Sequence, residues 1–408
     1  MTGLGEVRHT PVMAESPLRV LIAGAGVAGL EAALALRDLV GDRVTVELVS
    51  PEEEFVYRPL AVAAPFRIGE ARRFPLRRLV EAAGATLTQG AVQGVDAERK
   101  LLTTDDDRKL AYDALLLALG TRPLEAIEGA FTFRGPQDEA GLERILEQAR
   151  SGWVRRLVFT LPAQFTWPMP LYELALLTRI HLSDHGADGV VVEIVSPEAA
   201  PLELFGVAAS AAIRELLEIR GVKLTLNTVP TAVEDGWLQV SSGDPVRADQ
   251  VIALPRLEAL PLDGVPQNEQ GFVEVDEHGR VLGLDDVWAA GDVTSFSIKQ
   301  GGLATQQADA AAESIAAWAG ADLQPRPFDP VLRGLLLTGL TPRFIRSEPS
   351  AEQFAFDTEP LWWPPAKIVG RYLAPFLATE LGLNPPDGHL DHPGGLEVAV
   401  TLQPPRTR

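Results

Sequence analysis

The chain has 408 residues, 46% of them hydrophobic, enough for a large buried core and for two domains or more at typical domain sizes. Its formal net charge of -20 and pI near 4.8 disfavour nucleic acid and anionic membrane surfaces as general partners, because the whole-molecule field repels both. It contains no cysteine, which rules out disulfides, thiolate metal sites, iron–sulfur clusters and redox-active dithiols.

Residues 1–17 lack the basic start and apolar core of a signal peptide, and no apolar run approaches the ~18 residues of a membrane span. A flexible N-terminus and a cytoplasmic location are expected. Residues 19–36 read RVLIAGAGVAGLEAALAL: a short apolar run, three glycines spaced G-x-G-x-x-G, and an alanine-rich helical pattern. Strand, phosphate loop and helix follow in the order a dinucleotide site requires. Gly24 permits the tight turn, Gly26 lets a pyrophosphate approach the backbone, and Gly29 lets the helix pack closely on the strand. Free amides and the positive end of the helix then face the diphosphate.

Residues 44–50 (VTVELVS) form a second strand. Its end normally carries an acid for the ribose hydroxyls, but Ser50 stands there; Glu52, Glu53 and Glu54 are either substitutes or a solvated turn. Residues 55–60 (FVYRPL) read as a loop in which Arg58 precedes a rigid Pro59. Residues 74–84 are helical in pattern, while 85–95 and 100–102 read as strands of a small meander with Asp105, Asp106 and Asp107 at a hairpin tip. Residues 112–123 (YDALLLALGTRP) form an apolar strand that ends at Gly120, where the chain passes close to something, before Pro123 stops it.

Residues 156–177 (RLVFTLPAQFTWPMPLYELALL) copy the organisation of 19–36, and 190–198 (VVVEIVSPE) echo VTVELVSPE at 44–52. A strand, loop, helix, strand unit is therefore repeated within the chain. The glycines are not repeated. None occurs between Trp153 and His185, and the loop carries Pro162, Pro168 and Pro170, which lack the amide donors a phosphate needs. A conventional dinucleotide site is not expected there. His181, Asp184 and His185 have a metal-compatible spacing, but the run into Gly186 reads better as a helix C-terminus. His389, Asp391 and His392 lie in a Pro/Gly-rich tail, and no metal is expected.

Residues 271–283 read as a hairpin around Glu277, His278 and Gly279. Residues 286–292 (DVWAAGD) form another strand, which ends at Gly291 and presents Asp292 at its tip. The long helix at 302–318 points its N-terminus at the same crevice. Residues 330–340 and 360–378 combine aromatic or apolar faces with the basic residues Arg333, Arg343, Arg346, Lys367 and Arg371.

Three pieces together, the glycine loop, the YDALLLALG strand and the VWAAGDV strand with its Asp, resemble the FAD-dependent pyridine nucleotide-disulfide reductase superfamily. The similarity is to its sulfide:quinone reductase, flavocytochrome c sulfide dehydrogenase and type II NADH dehydrogenase branch, over residues 18–380. The resemblance implies an α/β protein of two Rossmann-like domains, the first interrupted by the second. The FAD-binding domain would take residues 18–125 and 259–324, and the second domain 126–258. A C-terminal lid or dimer region and tail would take 325–408.

FAD is the implied cofactor. Gly24, Gly26 and Gly29 would hold its pyrophosphate, Ser50 would stand at the ribose, and Val92 would meet the adenine through its backbone. Asp292 would serve the ribityl and pyrophosphate region, with Gly120 and Gly291 as further cofactor-binding positions. Arg58, Pro59 and the 299–305 segment, with Lys299, Gly302 and Leu303, would lie at the isoalloxazine. A cation and a helix N-terminus both suit the charge that a reduced flavin concentrates at N1 and the C2 oxygen; the alternative for Lys299 is a solvated surface lysine.

Residues 167–173 (WPMPLYE) resemble a loop of the sulfide dehydrogenases in which a redox cysteine precedes prolines and a Tyr-Glu pair. Trp167 takes the cysteine's place while Tyr172 and Glu173 remain, so persulfide chemistry is excluded. Glu173 is either a proton carrier, a carboxyl in an aromatic pocket being raised towards neutrality, or an ordinary first-turn glutamate. Three readings stand for the C-terminal region: a lid over the isoalloxazine, a dimer surface, or an interfacial anchor with Trp362 and Trp363 at the headgroups. The prolines at 360, 364 and 365 favour the lid or dimer.

The expected protein is an FAD-dependent oxidoreductase that passes electrons between a small-molecule donor and an acceptor, with a quinone as candidate. Lys299, Glu173, Tyr172 and Trp167 are its expected catalytic residues. The alternatives are a flavin-binding sensor or interaction protein with little turnover, and an NAD(P)H dehydrogenase with an atypical nicotinamide site.

Overall fold

The computed structural model describes residues 17–348, 350 and 353–383. Two five-stranded parallel sheets organise it. In the first, Leu18–Ala23 lies between Val44–Ser50 and Ala114–Leu117. Thr86–Gln89 flanks Val44–Ser50, and Val287–Ala289, arriving from far downstream, flanks Ala114–Leu117. In the second, Arg156–Thr160 lies between Val191–Val195 and Gln250–Ala253, with Lys223–Thr225 and Phe131–Thr132 at the edges. The inner strands are near-continuous apolar runs because a parallel sheet of this kind is covered on both faces; all four residues of Ala114–Leu117 are buried. In both sheets the strand order reverses beside the strand that opens the repeated unit. Ligands of such folds sit outside the carboxyl ends of the strands at that point.

The internal repeat extends to side-chain detail. Ser50 and Ser196 each accept a hydrogen bond at 3.2 Å from the amide of the glutamate two residues on. Glu47 and Glu193 each accept from a threonine of the neighbouring strand, Thr88 and Thr225.

The two alanine-rich helices of the first domain, Val27–Val40 and Gly301–Trp318, pack against each other with Gly291 wedged between them. A Cβ at Gly291 would lie 3.1 Å from the Ala28 Cβ and 3.5 Å from the Ala304 Cβ. Beyond them, Leu332–Leu336, Arg343–Glu348 and Gln353–Asp357 make an antiparallel sheet. It presses on the second domain so closely that a Cβ on Gly334 would come within 2.2 Å of the Met169 Cε. Residues 360–372 then run without regular structure to the short Leu373–Glu380 helix.

Several segments that read as single elements are divided. Residues 85–95 split at Gly90: Thr86–Gln89 joins the main parallel sheet, and Val92–Asp96 pairs with Leu101–Thr104 in the small antiparallel sheet completed by Lys109–Ala111. Residues 112–123 break at Gly120 (φ +70), so that Thr121–Leu124 leaves the sheet to pair with Arg256–Ala259. The helix expected over 74–84 is confined to Leu76–Ala82, because Arg73–Pro75 is taken up pairing with Glu54–Val56. The loop expected around Arg58 is a 3-10 helix, Arg58–Phe66, with Pro59 in its first turn. At 271–283 the chain makes a turn closed by a bridge between Val275 and Val281, not two full strands. His389, Asp391 and His392, like the expected flexible N-terminus up to residue 16, lie outside the described residues. Among those described, no helix is long and apolar enough to cross a membrane.

Candidate cofactor and substrate site

The three glycines of the first loop divide their work. Gly24 has φ +109, and a Cβ on it would lie 2.3 Å from the Ala118 carbonyl oxygen; a Cβ on Gly29 would lie 2.0 Å from the Gly24 carbonyl oxygen. Both are required by the fold itself. Gly26 is different, since nothing lies within 4 Å of the Cβ it lacks. The first helical bond runs from the Leu30 amide to the Gly26 carbonyl at 3.0 Å, so the amides of Val27, Ala28 and Gly29 have no acceptor within the helix. Open space over Gly26 and unclaimed amides together fit a pyrophosphate.

The far end of the first sheet supplies the other wall. The Gly291 amide donates to Gln307 Oε1 at 2.7 Å, and Thr294 Oγ1 donates to the Gly291 carbonyl at 2.9 Å. These bonds fix the strand end that carries Asp292. Burial pushes the Asp292 carboxyl up, while the charges of Lys299 and Arg58 oppose the shift. Lys299 is 6% exposed, not a surface lysine. Its Nζ donates to the Thr294 carbonyl and lies 4.0 Å from the centre of the Phe272 ring. Burial lowers its pKa to about 8, against the pull of Asp292. The next residue, Gln300, caps the Gly301–Trp318 helix by accepting from the Leu303 amide at 2.9 Å. Gly301 and Gly302 lie in that first turn, where a Cβ on Gly301 would sit 2.9 Å from Ile368 Cγ1.

A cavity of about 260 Å³ opens beside this turn. It brings together Arg58, Pro59, Trp167 and Lys299 from three separate stretches of sequence, and adds Arg333 and Lys367 from the C-terminal region. The sequence marks those two only as basic residues, since nothing in local spacing assigns them a partner.

Tyr172 and Glu173 are not part of the cavity wall. Both are fully buried. The Tyr172 hydroxyl donates to Glu198 Oε2 at 2.5 Å, and Ser196 Oγ donates to the same oxygen at 2.8 Å. Burial raises the Glu198 carboxyl to about 7. Glu173 accepts from Lys367 and from the Leu337 amide at 2.9 Å. It faces neither solvent nor cavity because the C-terminal sheet has closed over it.

Val92 opens its strand opposite Thr104, just before a bulge. The Ser50 hydroxyl is engaged with its own loop, and Gly120 faces open space. Trp362 stands away from the cavity, packed edge-on against Phe344 at 5.0 Å with its Nε1 donating to the Ala366 carbonyl at 3.0 Å. Lys367 and Ile368 line the cavity in its stead. His181 and His185 stack at 4.4 Å where the Met169–Asp184 helix ends.

The sequence pattern of the family described as pyridine nucleotide-disulphide oxidoreductase matches residues 18–155 and 174–311. The chain belongs to that family. The family is one of FAD-dependent oxidoreductases, and the open space over Gly26 leaves room for such a cofactor. The match omits residues 156–173, the stretch in which the second domain has lost its glycines.

Among similar proteins is an NADH dehydrogenase-like protein of Mycobacterium tuberculosis, 28% identical over 296 residues, or 68% of this chain and 73% of the relative. Human apoptosis-inducing factor 3 is 28% identical over 319 residues, which span 71% of this chain and 49% of that larger protein. In three dimensions the sulfide:quinone oxidoreductase of Aquifex aeolicus shares the fold, with a TM-score of 0.76 at 18% identity over 83% of this chain and 86% of that one.

Proposed function

We propose that the chain uses FAD to exchange electrons with a small apolar molecule, a quinone being the first candidate acceptor, and that neither NAD(P)H nor sulfide is its donor. The observation that carries this reading is the entry to the Met169–Asp184 helix. Pro168 caps it and Pro170 occupies its first turn, so two amides are absent there; that of Leu171 is taken by the Pro168 carbonyl at 3.0 Å. The corresponding turn of the first domain leaves three amides open. A diphosphate that found three donors at the first site would find at most one at the second, and each lost charge-assisted bond is worth ~1.5–3 kcal/mol. Sulfide chemistry of the persulfide kind fails for want of any cysteine.

When bound, FAD supplies the centre that accepts and returns an electron pair. The chain's own residues surround it with fixed charge and exclude water. Lys299, charged over most of the neutral range, and the positive end of the Gly301–Trp318 helix favour negative charge on the cofactor's side of the cavity. Phe165, Trp167 and Met169 give the opposite side an apolar surface.

The 367–373 segment serves as the lid. It is fastened by the Ile368 amide donating to the Tyr57 hydroxyl at 2.9 Å and by Thr305 Oγ1 donating to the Val369 carbonyl at 2.7 Å. The amides of Tyr372 and Leu373 both donate to Glu31. A lid held at so many points supports the lid reading over the membrane-anchor reading.

An anaerobic absorbance titration tests the proposal. Dithionite and a soluble quinol should bleach the flavin band, while NADH and NADPH at millimolar level should not do so within seconds. The relatives described as NADH dehydrogenase-like favour a second reading, an NAD(P)H dehydrogenase with an unconventional nicotinamide seat, and fast bleaching by either nucleotide would establish it.

A further inference from the structure

We propose that the small apolar molecule admitted to the cavity, a quinone or another, carries a carboxylate that Arg333 holds. This deepens the reading above and rests on it. Five basic residues line the cavity, Arg58, Arg134, Lys299, Arg333 and Lys367, and no carboxylate does, in a chain whose net charge is -20. Two of the five are held in ion pairs. Arg134 grips Asp138 through Nε and Nη2 at 3.0 and 2.7 Å, and Lys367 holds Glu173. Lys299 has Asp292 as its opposing charge and donates from Nζ to the Thr294 carbonyl, and Arg58 is exposed to solvent, so neither is left withdrawn from water and unanswered.

Arg333 remains. It lies directly opposite Arg346 in the antiparallel pair of Leu332–Leu336 with Arg343–Glu348, where like charges repel. The opposite charge it senses is Glu348, but that carboxylate is bonded to Arg346 Nη2 at 2.9 and 3.0 Å. Among the described residues Arg333 takes part in no ion pair. Burial, with Arg346 second, pushes its pKa down to about 10, so it stays charged at neutral pH. A half-buried guanidinium facing a like charge is unfavourable until an anion answers it. A carboxylate matches its planar fork with two parallel bonds. The rest of the wall, including Leu161, Phe165, Trp167, Met169, Leu335 and Ile368, asks for an apolar body. A cavity of about 260 Å³ takes one or two rings, not a dinucleotide.

The test uses the FAD-loaded full chain with 1-naphthoate and its neutral counterpart, naphthalene-1-carboxamide. Wild type should bind 1-naphthoate about tenfold tighter than the carboxamide or better, read from the shift of the flavin band. Arg333→Met should abolish the preference and Arg333→Lys should restore part of it, all three proteins keeping the same FAD content. Without ligand, Arg333→Met should melt above wild type, because an unanswered, half-buried charge facing Arg346 has been removed. Added 1-naphthoate should raise the melting point of wild type most, that of Arg333→Lys less and that of Arg333→Met least.

Equal binding of the two probes by wild type, an undiminished preference in Arg333→Met, or a lower melting point in that variant overturns the proposal and leaves the proposed function standing. Rapid bleaching by NADH, with neither probe perturbing the flavin, overturns both.

Discussion

Lys367 Nζ lies 2.7 and 2.6 Å from the two carboxylate oxygens of Glu173, a side chain with no exposed surface. The pair joins the second domain's helix to the 367–373 segment across 194 residues of sequence. Burial pushes the Glu173 carboxyl up, and Lys367 opposes the shift. Such a pair contributes little net stability, but breaking it from one side strands a buried charge at a cost of about 3–5 kcal/mol. Lys367→Met should therefore lower the melting point of the FAD-loaded protein sharply. Adding Glu173→Gln, which keeps an acceptor for the Leu337 amide, should recover most of the loss. Melting curves of the two single variants and the double variant at constant excess FAD check this, and additive losses would show that the two side chains do not act as a pair.

Gly26 and Gly29 should fail in different ways. Gly26→Val should give a folded, colourless protein, since its side chain enters open space in the apoprotein but occupies the pyrophosphate's seat. Gly29→Val should not fold, because even a Cβ would collide with the Gly24 carbonyl oxygen at 2.0 Å. Circular dichroism with the ratio of flavin to protein absorbance separates the two outcomes, and stoichiometric FAD on Gly26→Val would refute the assignment of the loop.

Trp167 packs edge-on against Phe205 with ring centres 5.8 Å apart and presents its other surface to the cavity. Trp167→Ala should keep its FAD and lose about tenfold or more in kcat/KM for a quinone, in line with the ~1.5–3 kcal/mol of a buried apolar side chain. Steady-state quinone reduction measures it; an unchanged kcat/KM would remove Trp167 from the substrate's path.

Glu198 should make stability depend on pH in an unusual direction. Its folded pKa, about 7, lies above the ordinary carboxylate value, so folding takes up a proton at this group. The favourable contribution is complete below the unfolded pKa and is lost as pH rises to about 7. Glu198→Gln, which does not titrate, should be relatively more stable than wild type at pH 8 than at pH 5. Melting points of both proteins across that range check the sign.

What could be read in advance was local. The glycine loop, the apolar central strands and the duplicated unit each declare themselves within about 20 residues, because hydrophobic period and turn chemistry are short-range signals. Residues 85–95 and 112–123 misled because a single glycine, at 90 and at 120, redirects a strand without interrupting its apolar pattern. The partners of Tyr172 and Glu173 were illegible for another reason. Glu198 and Lys367 are chosen by the packing of separate layers, and nothing in the spacing of a sequence encodes that. The walls of the cavity show both limits: Arg58, Trp167 and Lys299 could be singled out, but Arg333 and Lys367 enter only once the C-terminal sheet is in place.

The strand Val287–Ala289 closes the first sheet against Ala114–Leu117, and the Gly301–Trp318 helix follows it. A growing chain therefore cannot finish its first domain until its second has been made. At ~5–20 residues per second of synthesis, the open edge of Ala114–Leu117, apolar along its whole length, waits many seconds for its partner while the intervening domain folds. A chain arrested before residue 287 would hold a glycine loop without the Asp292 and Lys299 side of its crevice, and would carry an unpaired strand edge of the kind that seeds aggregation. The order of manufacture thus makes premature termination a hazard to solubility, and makes the cofactor a late arrival on an almost complete polypeptide.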